Sequence, residues 1–366
     1  MRIRGLILVL LVVLTLSGCR VTGEVENQAY VLVLSVDRVN GGELELTARV
    51  PQIGKGSGDS EESGGSYLTF SASGADWPRA LEALEQATPR PVNLSHIEML
   101  VVSEDLAREA DFAALLNRIA ETPHLYTTAR FVVCEGSARV FLQELDTVIG
   151  TRLSSEIDAM LEHYAQRGYI PRASLADACF AFNSIYGDGV AILGTLAEDT
   201  WAAVSLTDPG ELSDEASPMK QRYGGAALFS EGRMVGTLGA DRVMLLNLLR
   251  GEKSDLPFEC EGRHYTLTPK GGAGKQVTHD NEQTTLVVNQ RFTTLDDICD
   301  EDKERLEAEI EQKLVEVIQA CKSLSSDPFG FAEAAAARFA TVRDWLNFDW
   351  REHYKSADIR VNVDVG

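Results

Sequence analysis

One cysteine near the start of the 366-residue chain stands in a pattern that predicts chemical modification of its sulfur. Cys19 directly follows Leu16-Ser17-Gly18, at the end of an apolar stretch over residues 5–16 that Arg2 and Arg4 precede. This pattern is typical of the lipobox, after which the bacterial lipoprotein pathway attaches a diacylglyceryl group to the cysteine sulfur and cleaves before it. We therefore expect Cys19 to be the lipidated first residue of the mature chain. The alternative is an ordinary secretory signal with Cys19 near its cleavage site by coincidence.

The apolar stretch is too short to be a membrane anchor, because a helix needs about 20 apolar residues to cross a bilayer. A diacyl group supplies two acyl chains, which suffice for stable anchoring. The chain has 34 Lys and Arg against 56 Asp and Glu, a formal net charge of −22, and loss of Arg2 and Arg4 makes it more negative by two. Anionic lipids repel such a protein, so its attachment to the lipid bilayer must depend on the lipidated Cys19. The same charge excludes a nucleic-acid partner.

Other residues that could do chemistry do not form a recognisable site. The six histidines lie far apart without an H-E-x-x-H pair. Gly271 to Gln276 (GGAGKQ) differs from a phosphate loop because Pro269 replaces the first glycine and Gln276 replaces the final Ser or Thr. Gly187-Asp188-Gly189 begins like a dinucleotide fingerprint, but Ile192 stands where the third small residue belongs. The sequence thus predicts no catalytic, cofactor or metal-binding residue, predicts that the chain is not an enzyme, and leaves ligand-binding residues open.

The cysteines other than Cys19 do not indicate a disulfide framework, because they number five and none forms a C-x-x-C pair. We expect them to be buried small apolar residues. They are Cys134, Cys179, Cys260, Cys299 and Cys321.

Hydrophobic periodicity predicts an α+β protein with mixed and antiparallel sheets, arranged as three consecutive α+β domains after the signal peptide. Hairpins are expected about Asn40-Gly41-Gly42, Glu231-Gly232 and Glu261-Gly262, and helices alternate with these strands. The predicted divisions are a lipoprotein signal peptide at 1–18, an N-terminal α+β domain at 19–150, a helical connector at 151–186, a middle α+β domain at 187–275 and a C-terminal α+β domain at 276–366.

Three details of the later units can be checked against a structure. A helix over 300–321 carries Glu304, Glu307 and Glu311 on its polar face, which we expect to be solvated. A second helix is expected over 328–345. Small residues over 224–238 would allow close approach of a partner's backbone, although turns and packing within the chain are the favoured explanation for them.

Several segments, taken in order, resemble one protein family. They are the lipobox at Cys19, AYVLVLSVD ending at Asp37, HIEMLVVSEDLARE over 96–109, GGAALFSEGRMVG over 224–236, SDPFGFAE over 326–333, and the terminal strand DIRVNVDVG. In this order the chain resembles the C-subunit lipoproteins of bacterial spore germinant receptors, the Ger(x)C or GerAC-like family.

The resemblance implies a non-catalytic subunit of a nutrient germinant receptor that is required for spore germination. It also implies a location on the outer face of the inner spore membrane, with the integral-membrane A and B receptor subunits as partners. Only Cys19 carries over a residue role, and the germinant stays open. An alternative is a solute-binding lipoprotein of a transport system, although such proteins usually have two lobes of repeated βα units rather than hairpins and separate helices.

Overall fold

A computed structural model describes most of the chain after residue 26. The described residues are 27–39, 41–52, 67–145, 153–196, 221–252, 255–260, 262–280, 283–295 and 298–366. The predicted signal peptide at 1–18 and the lipidation site at Cys19 lie outside them. No helix in the described ranges combines the length and apolar character needed to span a membrane.

The described part of the chain forms two sheets with helices packed against them. The strands are β1 (Ala29–Tyr30), β2 (Val33–Arg38), β3 (Leu44–Pro51), β4 (Tyr67–Gly74), β5 (Val92–Asn93), β6 (Met99–Ser103), β7 (Arg130–Cys134), β8 (Val190–Leu196), β9 (Gln221–Ser230), β10 (Arg233–Leu238), β11 (Leu256–Cys260), β12 (Arg263–Pro269), β13 (Gly274–Asp280), β14 (Gln283–Thr294) and β15 (Asp358–Val365). The helices are α1 (Trp77–Ala87), α2 (Glu104–Ala107), α3 (Phe112–Ala120), α4 (Ala138–Gln143), α5 (Leu153–Gln166), α6 (Leu175–Phe182), α7 (Ala240–Arg250), α8 (Asp300–Ser323), α9 (Phe331–Ala336), α10 (Val342–Asn347) and α11 (Trp350–Ser356). In addition, β1 and β5 form a short parallel pair.

The first sheet has eight strands in the order β10-β9-β8-β7-β6-β2-β3-β4. Its middle strands β2, β6, β7 and β8 are parallel, and the strands at both ends pair antiparallel. The predicted hairpins β2–β3 and β9–β10 are both present. The second sheet has five strands, antiparallel except that β15 lies parallel to β14. These mixed sheets with separate helices confirm the α+β class.

Helices cover both faces of the first sheet, which explains why its central strands are continuously apolar. Leu100 and Val102 of β6 pack in one core with α1, α3 and α6, whereas Met99 and Val101 pack on the opposite face with α4 and α5. Alternate residues of one strand therefore serve two cores. A third core fills the space between α7, α8 and the second sheet, and it extends to Val190 and Leu228 of the first sheet.

The hydrogen-bonded sheets do not follow the three predicted units. Strands β8, β9 and β10 of the predicted middle domain extend the sheet of the N-terminal domain, because β8 pairs with β7 across the helical connector. Strands β11 and β12 of the predicted middle domain instead join β13, β14 and β15, which belong almost wholly to the predicted C-terminal domain. The division into three domains stays a prediction. The strand pairing defines two sheets, and these share an apolar core.

The helix expected over 328–345 is wrong as a single element, because it forms two short helices, α9 and α10. The break falls at Thr341, whose hydroxyl accepts a hydrogen bond from Asp344 N at 3.1 Å and donates one to Asp344 Oδ2 at 2.8 Å. This local cap begins a new helix. At the other end, Gly330 has a left-handed backbone with φ +80°, so α9 cannot extend back to Pro328.

The acidic face of α8 is not simply solvated. Glu311 Oε1 accepts a hydrogen bond from Val363 N at 2.8 Å, and Glu307 Oε1 accepts one from Val365 N at 2.8 Å. Lys322 Nζ likewise donates to Ala357 O at 2.6 Å. Strand β15 pairs with β14 on one side only, so its outer amides would otherwise lack partners. The helix therefore closes an exposed sheet edge with its carboxylates.

We predict that Glu311→Ala lowers the free energy of unfolding by about 1–2 kcal/mol, because it leaves the half-buried Val363 amide without its charged acceptor. Urea unfolding measures the change, and hydrogen exchange at the Val363 amide should accelerate. Glu311→Gln keeps an acceptor oxygen and should lose less, while Glu304→Ala on the exposed part of the same helix should have almost no effect. Equal losses for Glu311→Ala and Glu304→Ala would contradict this role.

Candidate functional site

The two sheets meet at a pocket of about 400 Å³. The first sheet contributes the loop 184–188, which follows α6, and the β9–β10 turn at Glu231. The C-terminal half contributes residues 325–327, which follow α8, and residues 345–354 of α10 and α11. Segments separated by more than a hundred residues therefore build one concave site, as pockets at the junction of structural units often do.

Asp188 is the central polar group of this junction. Its side chain is 6% exposed and forms a salt bridge with Arg351, with Nη2 to Oδ1 at 3.0 Å. The same carboxylate accepts backbone hydrogen bonds from Asp327 N at 2.9 Å and Glu231 N at 3.2 Å. One carboxylate thus joins three segments, and its buried charge is compensated by a cation and two amides.

Arg351 extends the same network from α11. Its Nη1 donates to Ser230 Oγ at 2.8 Å and to Ser325 O at 3.1 Å, and its Nε lies 3.4 Å from Glu231 Oε1. Ser230 Oγ also donates to Ser325 O at 2.8 Å. The planar guanidinium reaches several acceptors at fixed angles, which a lysine ammonium on its flexible stem would do less well.

Asp327 is the second buried carboxylate at the junction, at 3% exposure. Its oxygens accept hydrogen bonds from the amides of Phe329, Phe331 and Ala332 at 3.3, 3.2 and 2.7 Å, so this side chain caps the start of α9. Burial raises the pKa of Asp327 to about 6, the nearby charge of Asp188 adds to the rise, and these amide bonds oppose it. Asp327, the aspartate of the segment SDPFGFAE, therefore has a structural role as this cap.

Three non-glycine residues that line the pocket have left-handed backbones. They are Glu231 at φ 52°, Ser325 at φ 56° and Asp349 at φ 49°. This conformation is uncommon outside glycine and persists where the surrounding structure determines it. Two buried polar atoms beside the pocket, Trp350 Nε1 and Ser326 Oγ, also have no hydrogen-bond partner within the described part of the chain. Left-handed non-glycine residues are thus concentrated here, beside two unsatisfied buried polar atoms.

Sequence reasoning singled out parts of this site without recognising it. Asp188 drew attention only within a rejected dinucleotide pattern, and Ser230, Glu231 and Asp327 belong to the segments that carry the family resemblance. The contact between them depends on long-range folding, which linear spacing does not show. The only site residue predicted from the sequence, Cys19, lies outside the described residues.

The other motifs have structural roles. Lys275 of GGAGKQ donates to the carbonyl oxygens of Leu249 and Phe329, and burial lowers its pKa, so this ammonium is committed to the protein rather than to phosphate. Within the described ranges, no three His, Cys, Asp or Glu side chains cluster in a way that could hold a metal ion.

The five described cysteines are free thiols in unequal surroundings. Cys134, Cys260 and Cys321 are buried, as expected, whereas Cys179 is half-buried and Cys299 is exposed. Burial raises the pKa of Cys179 to about 11 and that of Cys321 to about 12, so both are protonated and weakly nucleophilic at neutral pH.

The glycines of segment 224–236 serve packing inside the chain. A Cβ at Gly225 would lie 2.6 Å from Leu238 O, and Gly225 also has φ +98°. A Cβ at Gly232 would lie 2.4 Å from the Ala113 side chain, and one at Gly236 would lie 2.7 Å from Leu324. Of the two explanations for the small residues, these contacts support packing within the chain.

We predict that Arg351→Ala lowers the free energy of unfolding by about 2–3 kcal/mol, because it leaves the buried Asp188 charge without its cation. A double-mutant cycle with Arg351→Ala, Asp188→Ala and the double variant should give a coupling free energy between the two side chains of about 1–2 kcal/mol. This is less than for a fully buried ion pair, because Arg351 is one-third exposed. Chemical unfolding measures all four proteins. Arg343→Ala, an exposed arginine on α10, is the control and should have little effect; additive single losses would exclude a direct interaction.

We also predict a specific pH dependence for Asp327. Folding raises its pKa from 3.8 to about 6, so the folded state binds this proton more tightly. The resulting stabilisation is full below pH about 4 and is lost as the pH rises through 6, at most about 3 kcal/mol in all. Urea unfolding between pH 4 and 7 should show a shallower decline for Asp327→Asn than for the unmodified chain. Identical slopes would contradict the raised pKa.

Similarity to known proteins supports the family to which the segments point. Residues 22–196 match the family described as spore germination protein N-terminal domain. Residues 224–366 match the one described as spore germination B3/GerAC like, C-terminal.

Two curated proteins of Bacillus subtilis (strain 168) are similar. The putative spore germination protein YfkR is 22% identical over 97% of this chain and 93% of its own length. Spore germination protein KC is 24% identical over 54% of this chain and 46% of its own length. The crystal structure of the GerBC protein aligns with a TM-score of 0.48 at 16% identity, covering 91% of this chain and 96% of that one. The two family matches, in order along nearly the whole chain, confirm the resemblance, and the protein belongs to the GerAC-like family of spore germination proteins.

Proposed function

We propose that this chain is the lipid-anchored, non-catalytic subunit of a nutrient germinant receptor. In this role Cys19 holds it to the outer face of the inner spore membrane, beside integral-membrane A and B subunits. The observation that carries the proposal is the ordered match of both family domains, over 22–196 and 224–366. The names of the two similar Bacillus proteins support a part in spore germination.

The chemistry of the junction supports a non-catalytic role. A general acid or base needs a titratable group that can reach a substrate proton. Asp188 is instead occupied by Arg351 and two backbone amides, and Asp327 by three amides of its own segment. The Asp188 carboxylate links the two halves of the chain, and the Asp327 carboxylate caps α9.

The strong negative charge supports anchoring through Cys19 rather than through the protein surface. The whole chain has a formal net charge of −22. An anionic membrane surface repels such a body, so attachment requires a hydrophobic contribution such as two acyl chains.

We predict that deleting the gene abolishes dipicolinate release in response to one nutrient class while leaving the response to non-nutrient triggers intact. If lipidation serves placement, Cys19→Ala should reduce membrane-bound protein and the nutrient response in proportion. Spores carrying Cys299→Ala, which removes an exposed thiol outside the signal, are the matched control. An unchanged response of the deletion strain to every nutrient would contradict the proposal, provided no second receptor of the family is present.

A solute-binding lipoprotein of a transport system is the alternative, and the junction pocket gives it a specific test. A nutrient bound there at 100 times its Kd should stabilise the fold by about 2.7 kcal/mol and raise the melting temperature. No shift across amino acids, sugars and nucleosides, together with a germination defect, would favour the receptor subunit.

A further inference from the structure

Exposed apolar side chains are concentrated around the mouth of the junction pocket. Nine large hydrophobic side chains are exposed in the described part of the chain. Four of them, Ile185, Tyr186, Val342 and Leu346, belong to the two segments that meet there. Scattered exposed apolar residues are ordinary, but a group beside a pocket is typical of an interaction surface.

The four side chains form one surface because the two segments are in contact. Trp345 Nε1 donates to Ile185 O at 3.2 Å, and the Tyr186 and Trp345 rings stack with centroids 6.1 Å apart. Val342 and Leu346 are four residues apart on α10 and therefore share one helix face. Ile185 and Leu346 also line the pocket itself. We call these four side chains and the pocket the junction surface.

The pocket has more negative than positive charge. Its lining includes four carboxylates, Asp188, Glu231, Asp327 and Asp349, and one cation, Arg351. Asp188 and Asp327 are already hydrogen-bonded within the chain. Glu231 is 66% exposed and shares Arg351 with Asp188, whereas Asp349 forms no salt bridge with another described residue. One arginine thus serves two of the four carboxylates, and the net negative charge that remains could be offset by a second cation.

The size and walls of the pocket suit a long cationic side chain. A volume of about 400 Å³ accommodates one arginine or lysine side chain with room for water. Trp345 and Trp350 form part of the wall, and indole rings attract cations. An anchor in a central pocket, surrounded by apolar contacts that exclude water, is the usual arrangement of a binding hot spot.

We propose that the junction surface is the docking site for a segment of an integral-membrane receptor subunit. That segment inserts a lysine or arginine side chain between Glu231 and Asp349. Apolar residues beside this cation pack against the four exposed apolar side chains, Ile185, Tyr186, Val342 and Leu346. The identity of the partner rests on the proposed function. Charge selects a protein over the membrane as occupant, because the same carboxylates that attract a basic segment repel anionic lipids.

Co-purification in mild detergent tests this docking site with the full-length lipidated chain. Leu346→Asp should reduce the amount of A and B subunits retained per chain at least about tenfold, since it places a charge among apolar contacts. Asp349→Asn should reduce it by about fivefold through loss of one carboxylate, while asparagine tolerates the left-handed backbone at this position. Both sites are exposed, so circular dichroism and melting temperature should match those of the unmodified chain.

Two control variants separate a specific site from a general effect. Leu295→Asp alters a fully exposed leucine elsewhere, and Glu304→Gln removes an exposed carboxylate on α8; both should retain the subunits. If the unmodified chain co-purifies with its partners and the junction variants do so equally, the docking site is wrong although the receptor role stands. If the unmodified chain never co-purifies, the proposed function itself fails.

A membrane occupant would give a different result. In that case Leu346→Asp would leave co-purification unchanged but weaken flotation of the Cys19→Ala chain with phosphatidylglycerol vesicles, which would overturn the protein docking site. A melting-temperature rise with free arginine that Asp349→Asn abolishes, without any effect on co-purification, would assign the pocket to a small molecule and overturn it as well.

Discussion

The arrangement of the two halves depends on one buried carboxylate. Asp188 follows the last helix before β8, and it accepts hydrogen bonds from α11, from the segment after α8 and from the β9–β10 turn. A carboxylate removed from water must find donors or lose its charge. Because its donors come from both halves of the chain, satisfying this group fixes how the second sheet sits against the first.

Asp327 is a second buried acid beside Asp188, and burying two carboxylates together costs more free energy than burying one. Burial raises the pKa of Asp327, and the like charge of Asp188 adds to the rise. Separate donors reduce this cost: Arg351 serves Asp188, while the first amides of α9 serve Asp327. The backbone also links them directly, since Asp188 N donates to Asp327 O at 2.9 Å. Neither acid can be moved without disturbing the other, which ties loop 184–188 to the start of α9.

Local patterns in the sequence predicted local structure well. Alternation and turn residues located the β2–β3 and β9–β10 hairpins, and the Glu231-Gly232 turn has the two left-handed residues that a tight hairpin requires. The pairing of β7 with β8 was missed because the residues between them form helices that pack back on the sheet. The role of Glu307 and Glu311 was missed for a similar reason. An acidic helix face looks solvated until the edge strand that it covers, more than fifty residues later, is in place.

The segments that resemble the GerAC-like family gain a physical explanation from the same contacts. Asp37, one residue before the end of β2, caps α4 through the amides of Ala138 and Arg139, at 2.8 and 2.7 Å, and Asp327 caps α9. Such residues maintain the fold, so a shared fold can keep them whatever each relative binds. Ile185, Val342 and Leu346 lie outside those segments and contribute little to any core. Exposed residues of this kind are free to determine partner choice, since specificity depends on contacts that one partner satisfies and another does not. The framework around Asp188 would then supply a rigid pocket, whose strained residues are already ordered before binding and need lose little conformational freedom on docking.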